Sequence, residues 1–129
     1  MPKSVRISIP EQLDQLQFLA NRTPTTTSEE SCLAFARLSE YGDGGIFVGH
    51  YAGNSEWEGD ELVCVIDGET TLILLEDKSE RSNFLIKGDC LIVPENTWHR
   101  FESPQGVKIM TVTPQPTDHC VHFPEPGQV

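Results

Sequence analysis

Short apolar runs recur along this chain and are interrupted at near-regular intervals. The runs are "CLAFARL", "GIFVGHY", "ELVCVI", "TTLILL", "NFLI", "CLIVP", "HRFE" and "VKIMTVT". Between them stand "GDGG", "AGN", "DGE", "EDKSERS", "KGD", "PEN" and "SPQG", mixtures whose residues tolerate positive φ or begin turns. Runs of this length, so punctuated, predict about eight short strands in an antiparallel sandwich or barrel. Ahead of them, "PEQLDQLQFLANR" puts Leu13, Leu16 and Leu19 at helical spacing behind a proline suited to a first turn. This predicts one short helix over 10–22, followed by a polar loop, "TPTTTSEES", over 23–31. Asp67-Gly68 between two apolar runs predicts a hairpin joining 60–66 to 70–75. A second turn is expected at Lys87–Asp89, and Pro94 should end a strand. The proline-rich tail, 114–129, should run extended, with one edge pairing around 119–123.

Strand periodicity sorts the polar residues by face. With Glu61 inward, Val63 and Val65 also point in, while Leu62, Cys64 and Ile66 point the other way. His99 and Phe101 share a face opposite Trp98 and Arg100, so Glu61 and His99 can meet inside one barrel. By the same parity His50, Ala52, Asn54 and Glu56 would lie together. Two carboxylates buried side by side are costly without a cation. Either an ion sits between Glu56 and Glu61, or the pair shares a proton, or Glu56 lies in a solvated turn. His119 and His122 flank Cys120 and could be read as a metal hook, although a surface tail is the blander reading.

Composition narrows the partners. The formal charge of −11, with 20 acids against 9 Lys and Arg, repels phosphate backbones and anionic lipid, so neither nucleic acid nor membrane is an expected partner. No apolar run reaches the roughly 20 residues of a membrane span, and "MPKSVRISIPEQ" lacks the pattern of a secretory leader. The expected compartment is the cytoplasm. The four cysteines form no C-x-x-C pair and read as free thiols there, with Cys64 and Cys90 serving as small core hydrophobes. A chain of 129 residues suits one domain, 1–129, with its barrel core at about 32–115.

Glu61 followed after six residues by Gly68, then Gly88 with Pro94 and His99 at set spacings, resembles the two motifs of the cupin superfamily. The first motif there runs G-x5-H-x-H-x3,4-E-x6-G and the second G-x5-P-x-G-x2-H-x3-N. "DELVCVIDGE" carries the second half of the first, and "GDCLIVPENTWH" most of the second. This chain has Asn96 where the second motif has Gly, and Glu102 rather than Asn near its end. Trp57-Glu58, "TWHRF" and Thr113-Pro114 with His119 are similar to features of a group of small bacterial cupins. The resemblance implies an all-β double-stranded β-helix, the cupin jelly-roll barrel, with the short helix in front. In metal-binding cupins two histidines, the glutamate and the last histidine hold iron, manganese, nickel or zinc. Here the glutamate matches at Glu61 and the last histidine at His99, while the histidine pair falls on Asn54 and Glu56.

Two functional expectations follow, beside a third reading in which the protein is a non-catalytic dimer that keeps the shell of the fold without a working pocket. In the first, the barrel mouth binds a small neutral or cationic molecule, with Glu61 and His99 as polar anchors and Trp57 and Phe101 as aromatic wall. In the second, Glu56, Glu61 and His99, with Asn54 or His50 as further candidates, hold a divalent Mn, Fe, Ni or Zn ion for isomerase, decarboxylase or dioxygenase chemistry. A homodimer is expected on each reading, since pairing covers an exposed strand edge.

Overall fold

The structure, a computed structural model, describes residues 6–42, 44–59, 61–114 and 119–120. It begins with helix α1 (Ile9–Asp14), whose first turn holds Pro10 and whose N-cap, Ser8, accepts the Glu11 N–H at 3.4 Å. The helix ends well before the expected limit. Leu19–Arg22 is instead strand β1, parallel to β3 (Gly44–Asn54). The reason is tertiary. Strand β2 (Phe35–Tyr41) covers β3 only from Gly44 to Gly49, and β1 pairs with the stretch left over, at Tyr51 and Gly53. Within the expected loop lies a further short helix, α2 (Ser28–Ser31), closed by a reciprocal cap between Thr27 and Glu30.

The remaining strands are β4 (Trp57–Glu58), β5 (Glu61–Glu76), β6 (Ser79–Ile86), β7 (Cys90–Val93), β8 (His99–Pro114) and β9 (His119–Cys120). β8 is the organising strand. It pairs antiparallel with β3 along one edge and with β5 along the other, and its start also pairs with β4. β5 in turn pairs with β7 through its first residues and with β6 through its second half. The result is an all-β jelly roll, within the antiparallel sandwich or barrel that the strand pattern predicts and as the cupin resemblance implies.

The predicted hairpin at Asp67-Gly68 does not form. β5 runs through it, and the chain reverses ten residues later at Asp77-Lys78, both at positive φ (48° and 67°). Asp67-Gly68 instead sits in an irregular stretch of the β5–β8 ladder, with register shifts between Val65 and Asp67 and between Gly68 and Thr71. Glycine is required there by contact: a Cβ on Gly68 would lie 2.5 Å from the Gly106 carbonyl oxygen of β8. A turn signal has become a bend that carries one strand from one side of the barrel to the other. The same merging joins the two runs expected at "HRFE" and "VKIMTVT" into β8.

The core has two parts. Tyr51, Val63, Val65, Leu72, Leu74, Phe101, Val107 and Ile109 fill the barrel with their neighbours, and Glu61, Val63 and Val65 all face inward as expected. Trp57, Ile73, Leu75 and Trp98 form a separate cluster. Among the described residues no helix is long and apolar enough to cross a membrane.

Gly53 provides a test of the unforeseen β1 contact. It sits at φ 113°, and a Cβ there would come within 2.2 Å of the Arg22 carbonyl oxygen. Gly53→Ala should cost about 2 kcal/mol or more in urea unfolding. Gly88→Ala, also at positive φ (93°) but facing open space, should cost less.

Candidate metal centre

Glu61 opens β5 and His99 opens β8. Between them on the ladder, Leu62 pairs with Val112 and Leu74 with His99. Those two steps are twelve residues apart, a span of roughly 40 Å in a flat strand. Yet His99 Nε2 lies 2.6 Å from Glu61 Oε2. The bends near Gly68 and Gly106 curl the ladder until its two ends face one another inside the barrel.

Glu58 completes the group. On β4 it stands directly opposite His99 of β8, and its Oε2 is 3.5 Å from His99 Nε2. One ligand atom from each of Glu58, Glu61 and His99 falls within 4.8 Å of the others, and all three residues are buried. Each is braced from behind. Thr113 donates to Glu61 Oε1 at 2.9 Å, and Arg22, delivered by β1, donates to Glu58 Oε1 at 3.3 Å. The Arg22 guanidinium itself lies over the Tyr51 and Phe35 rings at 4.5 and 4.9 Å. Ser55, fully buried, fixes the approach to β4: its Oγ accepts the Phe101 N–H at 2.8 Å and donates to the Glu56 carbonyl at 2.8 Å. Before His99 the chain turns through Asn96 at φ 63°, so asparagine supplies the left-handed conformation that the resembling motif takes from glycine.

Burial by itself would depress the His99 imidazolium, but the adjacent Glu61 carboxylate outweighs it, with Glu58 helping, and pushes the ring up to about 10. Burial, then the Glu58 charge, raise the Glu61 carboxyl, while His99 and Thr113 oppose them. In the metal-free chain a proton is therefore held on the line between Nε2 and Oε2. The donor set suits a divalent ion. Ligand atoms around such an ion at roughly 2.0–2.2 Å lie about 3–4 Å apart, so the 2.6 Å His99–Glu61 contact would open slightly to admit it while the other atoms, within 4.8 Å, adjust around it. His99 Nδ1 is buried and has no hydrogen-bond partner among the described residues, so Nε2 is the ring nitrogen aimed at the two acids.

Glu58 and Glu61 line a cavity of about 630 Å³, with His99 buried behind them, and its walls include Phe35, Phe47, Val48, Phe101 and Ile109 along with the exposed Arg37 and Cys32. The sequence-derived residues divide accordingly. Glu61, His99 and Phe101 come together as expected. Glu56 does not join them: it is half-buried and stands outside the cluster, and Glu58 occupies the position assigned to it. Strand parity fails because β3 ends at Asn54 and β4 begins at Trp57, with two irregular residues between. Asn54 is exposed. His50 packs against Phe18 at 4.8 Å in a second cavity with Asp67 and Lys108, where burial and then Lys108 lower its pKa. Trp57 lies in the outer tryptophan cluster under Arg100 and is not among the cavity-lining residues. Glu58 continues the parity of His50, Ala52, Asn54 and Glu56, so the same alternation carried one step further would have found it. The backbone of His119 and Cys120 pairs with β4, whereas His122 of the suggested metal hook lies outside the described residues.

Removing the Glu61 charge should release the His99 proton. NMR titration should show the wild-type ring protonated at neutral pH and losing its proton near 10. In Glu61→Gln the transition should move down, toward or below the ordinary histidine value of about 6.5. An unmoved transition would mean that the Glu61 carboxylate does not hold the proton.

A scan of protein-family models finds none that matches this chain, and a search of curated proteins finds no match. Solved structures do resemble it. A cupin-2 domain protein from Shewanella frigidimarina aligns with TM-score 0.54 and 20% identity over 63% of this chain and 79% of its own. A protein from Neisseria meningitidis aligns at 0.61 and 13% over 84% and 97%. Hydroquinone 1,2-dioxygenase from Sphingomonas sp. TTNP3, solved with 4-hydroxybenzoate bound, aligns at 0.54 and 16% over 74% and 72%. Strand order, register and these likenesses agree: the chain has the cupin fold.

Proposed function

We propose that this protein is a metal-dependent cupin whose Glu58, Glu61 and His99 hold one divalent transition ion at the end of a small-molecule pocket. The observation that carries this reading is the convergence of three buried ligand atoms within 4.8 Å. Two acids and one imidazole make a harder donor set than several histidines, which favours Mn²⁺, Fe²⁺ or Zn²⁺ over Ni²⁺. A bound ion of this kind would supply Lewis-acid polarisation of a substrate oxygen, of use to a dioxygenase, isomerase or decarboxylase.

The chain's own residues define what enters. A cavity of about 630 Å³ falls within the range of small-molecule sites. Phe35, Phe47, Val48, Phe101 and Ile109 present an apolar wall, so a ligand with a compact hydrocarbon body displaces water there favourably. Arg22 and Arg37 add positive charge to that wall. Glu58 and Glu61 share that lining, with Arg22 paired to Glu58, so once a divalent ion offsets the two carboxylates an anionic end group is a better match than a neutral or cationic ligand. Thr113 orients Glu61, and Arg22 orients Glu58, each by a hydrogen bond that leaves the other carboxylate oxygen toward His99.

We further take residues 1–129 as one domain and a homodimer as the assembly. Exposed Phe84, Ile86 and Ile92 on β6 and β7 support pairing of two copies. The free thiols Cys32, Cys64 and Cys90 are compatible with a reducing compartment such as the cytoplasm.

Calorimetric titration of chelator-stripped protein with Mn²⁺ and Zn²⁺ should give one site per chain. Glu58→Gln, Glu61→Gln and His99→Ala should each weaken it by about a hundredfold or more, whereas Glu56→Gln and His50→Ala should leave it unchanged. The pH dependence has a definite sign. Below about 10 His99 carries a proton that must leave before Nε2 can coordinate. Apparent affinity should therefore rise with pH, by about tenfold per unit near neutrality, with protons released on binding. Affinity that ignores both the substitutions and the pH would sink the metal reading.

A further inference from the structure

Cys64 of β5 and Cys90 of β7 stand directly opposite one another in an antiparallel ladder. The neighbouring step carries the ladder hydrogen bond, since the Val65 N–H donates to the Asp89 carbonyl at 2.9 Å. Alternation therefore makes Cys64 and Cys90 a non-hydrogen-bonded pair, the kind whose side chains approach most closely. Cα atoms in such pairs are roughly 4.5 Å apart. A disulfide spans Cα separations of about 4.4–6.8 Å. Because directly opposite residues project to the same side, the two sulfurs lie together on the face opposite Glu61, Val63 and Val65. Cys90 is exposed and Cys64 half-buried beneath it, and neither lines the metal cavity. Burial, then the contact with Cys90, push the Cys64 thiol up to about 11, which keeps it protonated at neutral pH. The sequence reading of this pair as core hydrophobes is thus replaced by an outward-facing dithiol.

We propose that Cys64 and Cys90 are a site of reversible oxidation, closed by a hydroperoxide into a cross-strand disulfide between β5 and β7. Exposure assigns the order of events. The Cys90 thiol gives up its proton, the thiolate attacks the hydroxyl oxygen of the peroxide, the O–O bond breaks, and the other oxygen takes up that proton and leaves as an alcohol or, for hydrogen peroxide, as water. Cys90 is then a sulfenic acid. Cys64 attacks its sulfur, the S–S bond forms, the S–O bond breaks, and the departing hydroxide takes the Cys64 proton as water. Two electrons pass from the two sulfurs to the peroxide, and an external thiol reverses the change by exchange. The bond would clamp β7 to the strand that carries Glu61, three residues before Cys64.

The test treats the full wild-type chain with hydrogen peroxide, blocks remaining thiols, and maps peptides without reduction. The expected result is a protein lighter by two hydrogens, with two of its four thiols lost to maleimide counting. The Cys64 and Cys90 peptides should be joined, and dithiothreitol should restore both thiols. In Cys90→Ser, Cys64 should stay free under the same treatment, and Cys32→Ser/Cys120→Ser should cross-link as the wild type does. Sulfinic or sulfonic acids without a cross-link, or a bridge from either residue to Cys32 or Cys120, would overturn the proposal.

Discussion

A hydrogen bond of 2.6 Å between His99 and Glu61 closes the barrel on itself. It joins residues that the β5–β8 ladder alone would hold far apart, so the ladder must bend, and the bend needs glycine where β5 and β8 cross most closely. The bond also sets the electrostatics of the interior. Two carboxylates and an imidazole are buried together, and they can remain so only by sharing protons or by coordinating a cation. Arg22 and Thr113 then carry the charge network outward to β1 and along β8.

This view makes sense of features that look peripheral in the sequence. β1 is only four residues long, yet it delivers the cation that pairs with Glu58, and Gly53 exists at positive φ so that its backbone can approach. Ser55 is a small residue between two strands, yet it is fully buried and locks the Phe101 backbone beside His99. Support of this kind matters in a metal site because ligand carboxylates have many rotamers, and hydrogen bonds from behind reduce the freedom they lose on coordination.

The two faces of β5 serve different chemistry. Inward positions Glu61, Val63 and Val65 join the carboxylate site to the apolar core. The outward position Cys64 meets Cys90 where solvent reaches. A strand with period two can keep a hard, oxygen-rich ligand set and a soft thiol pair a few residues apart without contact between them.

Much of the fold was legible in the chain because it rests on local patterns. Alternation placed Glu61, Val63, Val65, His99 and Phe101 on inward faces, and the cupin resemblance carried by Glu61, Gly68, Gly88, Pro94 and His99 implied the jelly roll. Asn96 looked like a departure but serves the turn as glycine would, since asparagine tolerates the left-handed region. Other features depended on partners far away in sequence. Leu19–Arg22 became a strand because β3 had an unpaired stretch of edge, and Asp67-Gly68 became a bend because β8 lay alongside. Glu58, not Glu56, stands beside Glu61 because Glu56 falls in the irregular link between β3 and β4, where strand alternation does not hold. Alternation along one strand is a property of the sequence, but which strand borders which, and where a ladder slips, is decided only when the barrel closes.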